Sequence, residues 1–137
     1  DKSVSCHNAT LTVIPPHHDQ NKLDKPTLLG TSTVIFKIDI DLGNLPTQGK
    51  VKLFLEDGTL SVIAEISLRD NILEPNNRTT LEAEIADLSL TAGLYSFLVV
   101  ITSPNDAHRY IRASGVCQFS VIREGVISWA PFLIKAN

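Results

Sequence analysis

The chain has 137 residues, of which 43% are apolar and 20% charged, with 12 basic against 15 acidic side chains and a net charge of −3. That is the size of one domain with a substantial core. The basic residues are scattered, which excludes the clustered cations of a duplex nucleic-acid binder, and no apolar run approaches the roughly 20 residues of a membrane-spanning helix. No methionine is present, so residues 1–137 are expected to be one domain cut from a longer protein.

The pattern is strand after strand with polar breaks between. Val4 to Ile14 is a first strand, ended by Pro15-Pro16, and His17 to Pro26 is a polar loop. Thr31 to Leu42 places Val34, Phe36, Ile38, Ile40 and Leu42 on one face and Lys37, Asp39 and Asp41 on the other. That period of two means one face in a core and one in water. After a turn from Gly43 to Gly49, Lys50 to Glu56 sends Val51, Leu53 and Leu55 inward. Asp57-Gly58 signals a hairpin. Leu60 to Leu68 returns, with Leu60, Val62, Ala64, Ile66 and Leu68 expected on one face.

Asn71 to Arg78 reads as a loop, and Thr79 to Ile85 as a short strand with Leu81, Ala83 and Ile85 inward. The Ala and Glu content of Leu81 to Leu90 also suits a helix, but the alternation favours strand. Leu88-Ser89-Leu90-Thr91-Ala92-Gly93-Leu94-Tyr95 has the L-x-x-G-x-Y form of a sandwich corner, in which the Tyr hydroxyl bonds back to the preceding turn. Leu94 to Thr102 follows as a strand apolar on both sides, and Pro104-Asn105-Asp106 as a turn. Tyr110 to Ala113 is a short strand or an irregular crossover. Val116 to Arg123 is a strand, and Val126 to Ile134, broken by Pro131, is a last apolar segment. The sum is an all-β protein of about eight strands, an antiparallel β-sandwich of immunoglobulin-like or jelly-roll type.

No phosphate-binding G-x-x-x-x-G-K-[ST] loop, no G-x-G-x-x-G and no G-x-S-x-G elbow occurs. His17-His18-Asp19 reads as a metal-ligand group or as a solvated loop, and a metal site needs further ligands from elsewhere. Cys6-His7 and Cys117 form a site only if the end strands adjoin. The two cysteines are either a disulfide of an oxidising compartment or two small buried hydrophobes. The carboxylate pairs Asp39/Asp41, Glu56/Asp57 and Glu82/Glu84 share a strand face or a turn rather than facing across a cleft. They therefore read as solvated surface, not as glycosidase acid and base. No nucleophile has an identifiable base. A binding module is expected rather than an enzyme, with no cofactor and no metal.

Glycan-binding modules use a sheet face bearing aromatic rings and hydrogen-bonding side chains. Phe54 falls on the outward side of its strand together with Lys52 and Glu56. Arg69, Tyr110 and Arg112 add donors near loops, and Trp129 in the last apolar segment offers a second ring. Lys52, Phe54, Glu56, Arg69, Tyr110, Arg112 and Trp129 are thus the candidate carbohydrate-binding residues.

The back half, Thr80 to Phe132, resembles the C-terminal domain of the ATP-binding subunit of bacterial O-antigen polysaccharide ABC exporters, the Wzt type. The corner Leu88 to Tyr95, the strand after it, Cys117-Gln118-Phe119-Ser120-Val121 and the Trp129 segment carry the likeness. The front half agrees in layout. The resemblance implies a cytoplasmic domain at the inner face of the bacterial inner membrane, joined to a nucleotide-binding domain and working with a membrane exporter subunit. It implies a homodimer that recognises the terminal end of a lipid-linked O-polysaccharide of the lipopolysaccharide and gives the exporter its substrate specificity. It fixes no ligand residue. The alternative reading is an extracellular structural or adhesive immunoglobulin-like sandwich, which a Cys6–Cys117 disulfide would favour.

Overall fold

The computed structural model describes residues 4–14, 27–29, 33–75, 78–86 and 90–122. Among the described residues nine strands run in chain order: β1 (Ser5–Ile14), β2 (Thr27–Leu29), β3 (Thr33–Asp41), β4 (Gly49–Asp57), β5 (Val62–Ile66), β6 (Ile72–Leu73), β7 (Arg78–Ile85), β8 (Gly93–Thr102) and β9 (Arg109–Ile122). They form a three-stranded sheet, β1-β3-β7, and a six-stranded sheet, β2-β9-β8-β4-β5, with β6 also on β4. Every pairing is antiparallel except that of β2 with β9. The protein is an immunoglobulin-like antiparallel β-sandwich, as the alternation predicts.

The strongest alternation makes the core. Val34, Phe36, Ile38 and Ile40 of β3 are buried, with Val13 of β1 and Leu81 and Ala83 of β7. From the facing sheet come Val51, Leu53 and Leu55 of β4, Phe97, Val99 and Ile101 of β8, and Phe119 and Val121 of β9. Phe36 stacks across the sandwich on Phe97, with ring centroids 4.5 Å apart. Phe119 lies 5.6 Å from Phe97 and 5.8 Å from Tyr95, so four rings run in series. Each such side chain contributes roughly 1.5–3 kcal/mol by leaving water. The predicted corner is present: the Tyr95 hydroxyl donates to the Thr91 carbonyl at 2.9 Å. This bond fixes the entry of β8 into its sheet.

Three local features depart from the sequence reading. The Asp57-Gly58 hairpin exists, but the left-handed residue is Leu60 (φ 63°) and β5 starts only at Val62. Ile63 is an extra residue in the ladder, because Leu55 pairs with Ala64 while Glu56 pairs with Val62. That bulge turns Val62 off the core face, and Leu60 and Val62 are 48% and 49% exposed. Secondly, the expected loop from Asn71 to Arg78 holds β6, whose Leu73 is buried in the core. Thirdly, Tyr110 to Ala113 and the described part of the next expected strand, Val116 to Ile122, are not two elements but parts of one strand, β9. Gly115 (φ 69°) and Cys117 (φ 52°) kink it, and its register with β8 shifts on both sides of Phe97. The last apolar segment lies outside the described residues.

Candidate functional site

Strand pairing sorts the candidate residues on the outer face of the six-stranded sheet into rows. Lys52 of β4 stands opposite Val100 of β8, and Val100 opposite Arg112 of β9. One step along, Phe54 lies between Leu98 and Glu65 of β5. Leu98 is buried although it points away from the core, and Phe54 is half-buried beside it. Lys52, Phe54 and Arg112 therefore share one face, with an apolar floor of Leu98 and Val100 between the strands.

Glu56 opposes Ser96 at the next row, but it is fully buried. Its carboxylate accepts from Ser114 Oγ at 2.8 and 3.0 Å, from the Gly115 N–H at 3.0 Å and from Ser96 Oγ at 3.4 Å. The reading of Glu56 as a solvated carboxylate, free to accept from a sugar, is corrected here. The β9 kink folds over it, and its lone pairs are taken by donors from β8 and β9. Its neighbour Asp57 is engaged too, accepting from the Thr59 hydroxyl (2.7 Å) and from the N–H groups of Thr59 (2.9 Å) and Ser61 (3.1 Å). Those hydrogen bonds, that of the Thr59 side chain first, hold its pKa below the ordinary value.

Charge gathers at the other end of the same face. Asp106, in a left-handed turn conformation, accepts from Lys50 Nζ at 3.1 Å and Thr102 Oγ1 at 3.1 Å and lies 3.3 Å from Lys52 Nζ. The hydrogen bonds from Lys50 and Thr102 hold its carboxyl below the usual range. The pairing continues this row from Lys50 through Thr102 to Arg109. Among the described residues neither the Arg109 nor the Arg112 side chain has a hydrogen-bond or ionic partner. A groove of about 340 Å³ runs beside β4 between Lys50, Lys52, Glu65, Leu68 and Asn71.

The remaining candidates stand apart. Arg69 is exposed in the loop after β5, next in sequence to the groove residue Leu68. Tyr110 packs partly against the core and brings its hydroxyl within 3.5 Å of Thr47 Oγ1, at the end of the sandwich rather than on the outer face. Trp129 and His17-His18-Asp19 lie outside the described residues. Cys6 and Cys117 are free thiols, half-buried against the core, and burial pushes the Cys6 thiol up to about 11. No group of three His, Cys, Asp or Glu among the described residues could hold a metal ion.

On the opposite face of the molecule, the outer side of β1-β3-β7, charges are paired. Asp39 accepts from Thr80 Oγ1 (2.7 Å) and Asn8 Nδ2 (3.1 Å), and the Thr80 bond leads in lowering its pKa. Arg78 lies 3.5 Å from Asp41 and 3.2 Å from His7 Nε2. The Asp39/Asp41 pair is thus surface, as expected, but is tied to neighbours on both flanking strands. Sequence reasoning missed Asp106, Lys50 and Arg109 as parts of the other face. The only signal for Asp106 was its Pro-Asn-Asp turn, and nothing in the sequence announces that this turn aims a carboxylate at β4.

No protein-family model matches the sequence, and no curated protein matches it. Solved structures resemble it in fold. A Niemann-Pick type C2 protein from the Japanese carpenter ant superposes with a TM-score of 0.51 over 82% of this chain and 89% of that one, at 8% identity. A Northeast Structural Genomics Consortium target gives a TM-score of 0.46 at 10% identity, over 99% of this chain and 98% of the other. The first likeness is one of sandwich architecture.

Chemically, the outer face of the six-stranded sheet offers a ring, an apolar floor and cationic donors. It offers no nucleophile with a base beside it among the described residues. Such an arrangement can hold and orient a ligand: Phe54 and Val100 take apolar surface, and the Lys and Arg donors fix polar groups.

Proposed function

We propose that this chain is a non-catalytic carbohydrate-binding domain and that the outer face of the six-stranded sheet is its binding surface. The observation that carries the reading is the joint placement of Phe54, Lys52 and Arg112 over Leu98 and Val100. A ring stacks on the apolar face of a sugar while cationic donors read its oxygens. Glu56 serves that surface indirectly, by pinning the β9 kink that follows Arg112. The wider reading rests on the resemblance carried by Leu88 to Tyr95 and the strands after it. In it, a homodimer joined to a nucleotide-binding domain at the cytoplasmic face of the inner membrane selects an O-polysaccharide by its terminal end for an ABC exporter.

Calorimetric titration with a panel of bacterial O-polysaccharides, intact and trimmed at the terminal end, tests both levels. Saturable binding to one polymer, lost on trimming and weakened about tenfold or more by Phe54→Ala, is the expected result. Failure of the folded protein to bind any polymer overturns the glycan reading. Binding that ignores trimming overturns terminal recognition alone.

A further inference from the structure

The two outer faces of the sandwich treat charge in opposite ways. On the three-stranded sheet the register sets each cation against an acid: Lys37 against Glu82 and Arg78 against Asp41. On the six-stranded sheet two rows of cations flank neutral residues instead. Lys50 and Arg109 lie on either side of Thr102, and Lys52 and Arg112 on either side of Val100. Four cations thus share this face with Asp106, with Glu65 beside Phe54 and with the buried Glu56, whose carboxylate is taken up by Ser114, Gly115 and Ser96, in a chain whose net charge is −3. Asp106 engages the two lysines. The two arginine side chains, exposed on β9, have no hydrogen-bond or ionic partner among the described residues. Like charges gathered across neighbouring strands repel, and an acidic protein has carboxylates enough to neutralise them. An external anion would relieve that repulsion.

We propose that this end of the outer face is an oxyanion-reading subsite, so that the glycan bound here is an acidic polysaccharide. The inference rests on the glycan reading above and names its substrate class. The guanidinium fork of Arg112 or Arg109 matches the paired oxygens of a carboxylate or a sulfate ester. The lysine row lies two strand spacings, roughly 10 Å, across the sheet. An acidic polymer lying across the strands would meet the arginine row and the lysine row in turn, with Phe54 beside them to take a sugar face.

The test is titration of the folded protein with polygalacturonate, dextran sulfate, neutral dextran and polyglutamate, at about 50 mM and about 300 mM salt. The expected result is binding of an acidic glycan about tenfold or more tighter than dextran, weakening as salt rises. Polygalacturonate against dextran sulfate tells carboxylate from sulfate recognition. The Arg109→Gln/Arg112→Gln double variant is expected to lose about tenfold or more in affinity. Arg112→Lys retains part of it, and Arg78→Gln on the opposite face leaves it unchanged, all with unaltered circular dichroism. Salt-independent binding of dextran as tight as that of the acidic polymers overturns the subsite and leaves the glycan reading standing. Equal binding of polyglutamate overturns the glycan reading and leaves an anion site. Binding of neither acidic glycan, or no effect of the double variant, overturns the proposal.

Discussion

Glu56 shows how one side chain can satisfy the alternation of its strand and still leave water. Its period sends it away from the core, and the kinked β9 covers it. Removing it leaves the half-buried Gly115 N–H and the buried Ser96 hydroxyl without their acceptor. Glu56→Ala is therefore expected to destabilise the fold by about 2–3 kcal/mol, read from the urea midpoint. The aspartates act at the surface. Asp39, Asp57 and Asp106 all have pKa values held below the ordinary 3.8 by hydrogen bonds to Thr80, Thr59 and Lys50 respectively. A depressed folded-state value means that the contribution is complete above the unfolded value and is lost as pH falls through the folded one. The contribution of these three carboxylates is thus expected to be constant at neutral pH and to be lost below 3.8. Asp57→Asn should flatten that acid limb, as thermal melts across an acid series will show. If its limb is as steep as the parent's, the carboxylate bonds at the hairpin do not drive the loss.

At the scale of the element, the β4–β5 hairpin was legible in its position and not in its geometry. Asp57-Gly58 marked the turn, yet the chain closes through Asp57 N–H to Ser61 O at 3.0 Å and Leu60 N–H to Asp57 O at 2.9 Å, with Leu60 left-handed. A side chain in that region costs roughly 1–2 kcal/mol, part of which glycine returns through its unfolded-state entropy. Leu60→Gly is expected to stabilise the fold by up to about 1 kcal/mol, measured by denaturant unfolding. A loss of stability would mean that the exposed leucine packs on the turn more than its backbone strains it. The same blindness affected β9. A glycine invites a kink at 115 and an asparagine tolerates positive φ at 8, but Cys117 adopts it too, and its residue type gives no reason to expect it there. Period-two patterns report the faces of a regular strand; a bulge moves every residue beyond it to the other face, as it did Val62.

At the scale of the whole molecule, the core was legible because its signal is the largest in the sequence: Val34, Phe36, Ile38 and Ile40 against Lys37, Asp39 and Asp41. Phe36→Ala removes a fully buried ring and its stack on Phe97. The expected cost is about 3–5 kcal/mol, a large part of the 5–15 kcal/mol typical of a domain, visible as a drop in melting temperature. The binding face was only half legible. Lys52, Phe54 and Arg112 could be found from alternation or donor chemistry, but their joining in space depends on which strand lies beside β4, and that strand is β8, some forty residues on. The pairing of β2 with β9 carries this further. Thr27 meets Ser120, Leu28 meets Val121 and Leu29 meets Ile122, so the described chain's early and late segments lie side by side. Bringing them together costs loop-closure entropy before any contact repays it. The six-stranded sheet is completed only when its last strand arrives, which places this chain among proteins that fold in milliseconds to seconds rather than microseconds.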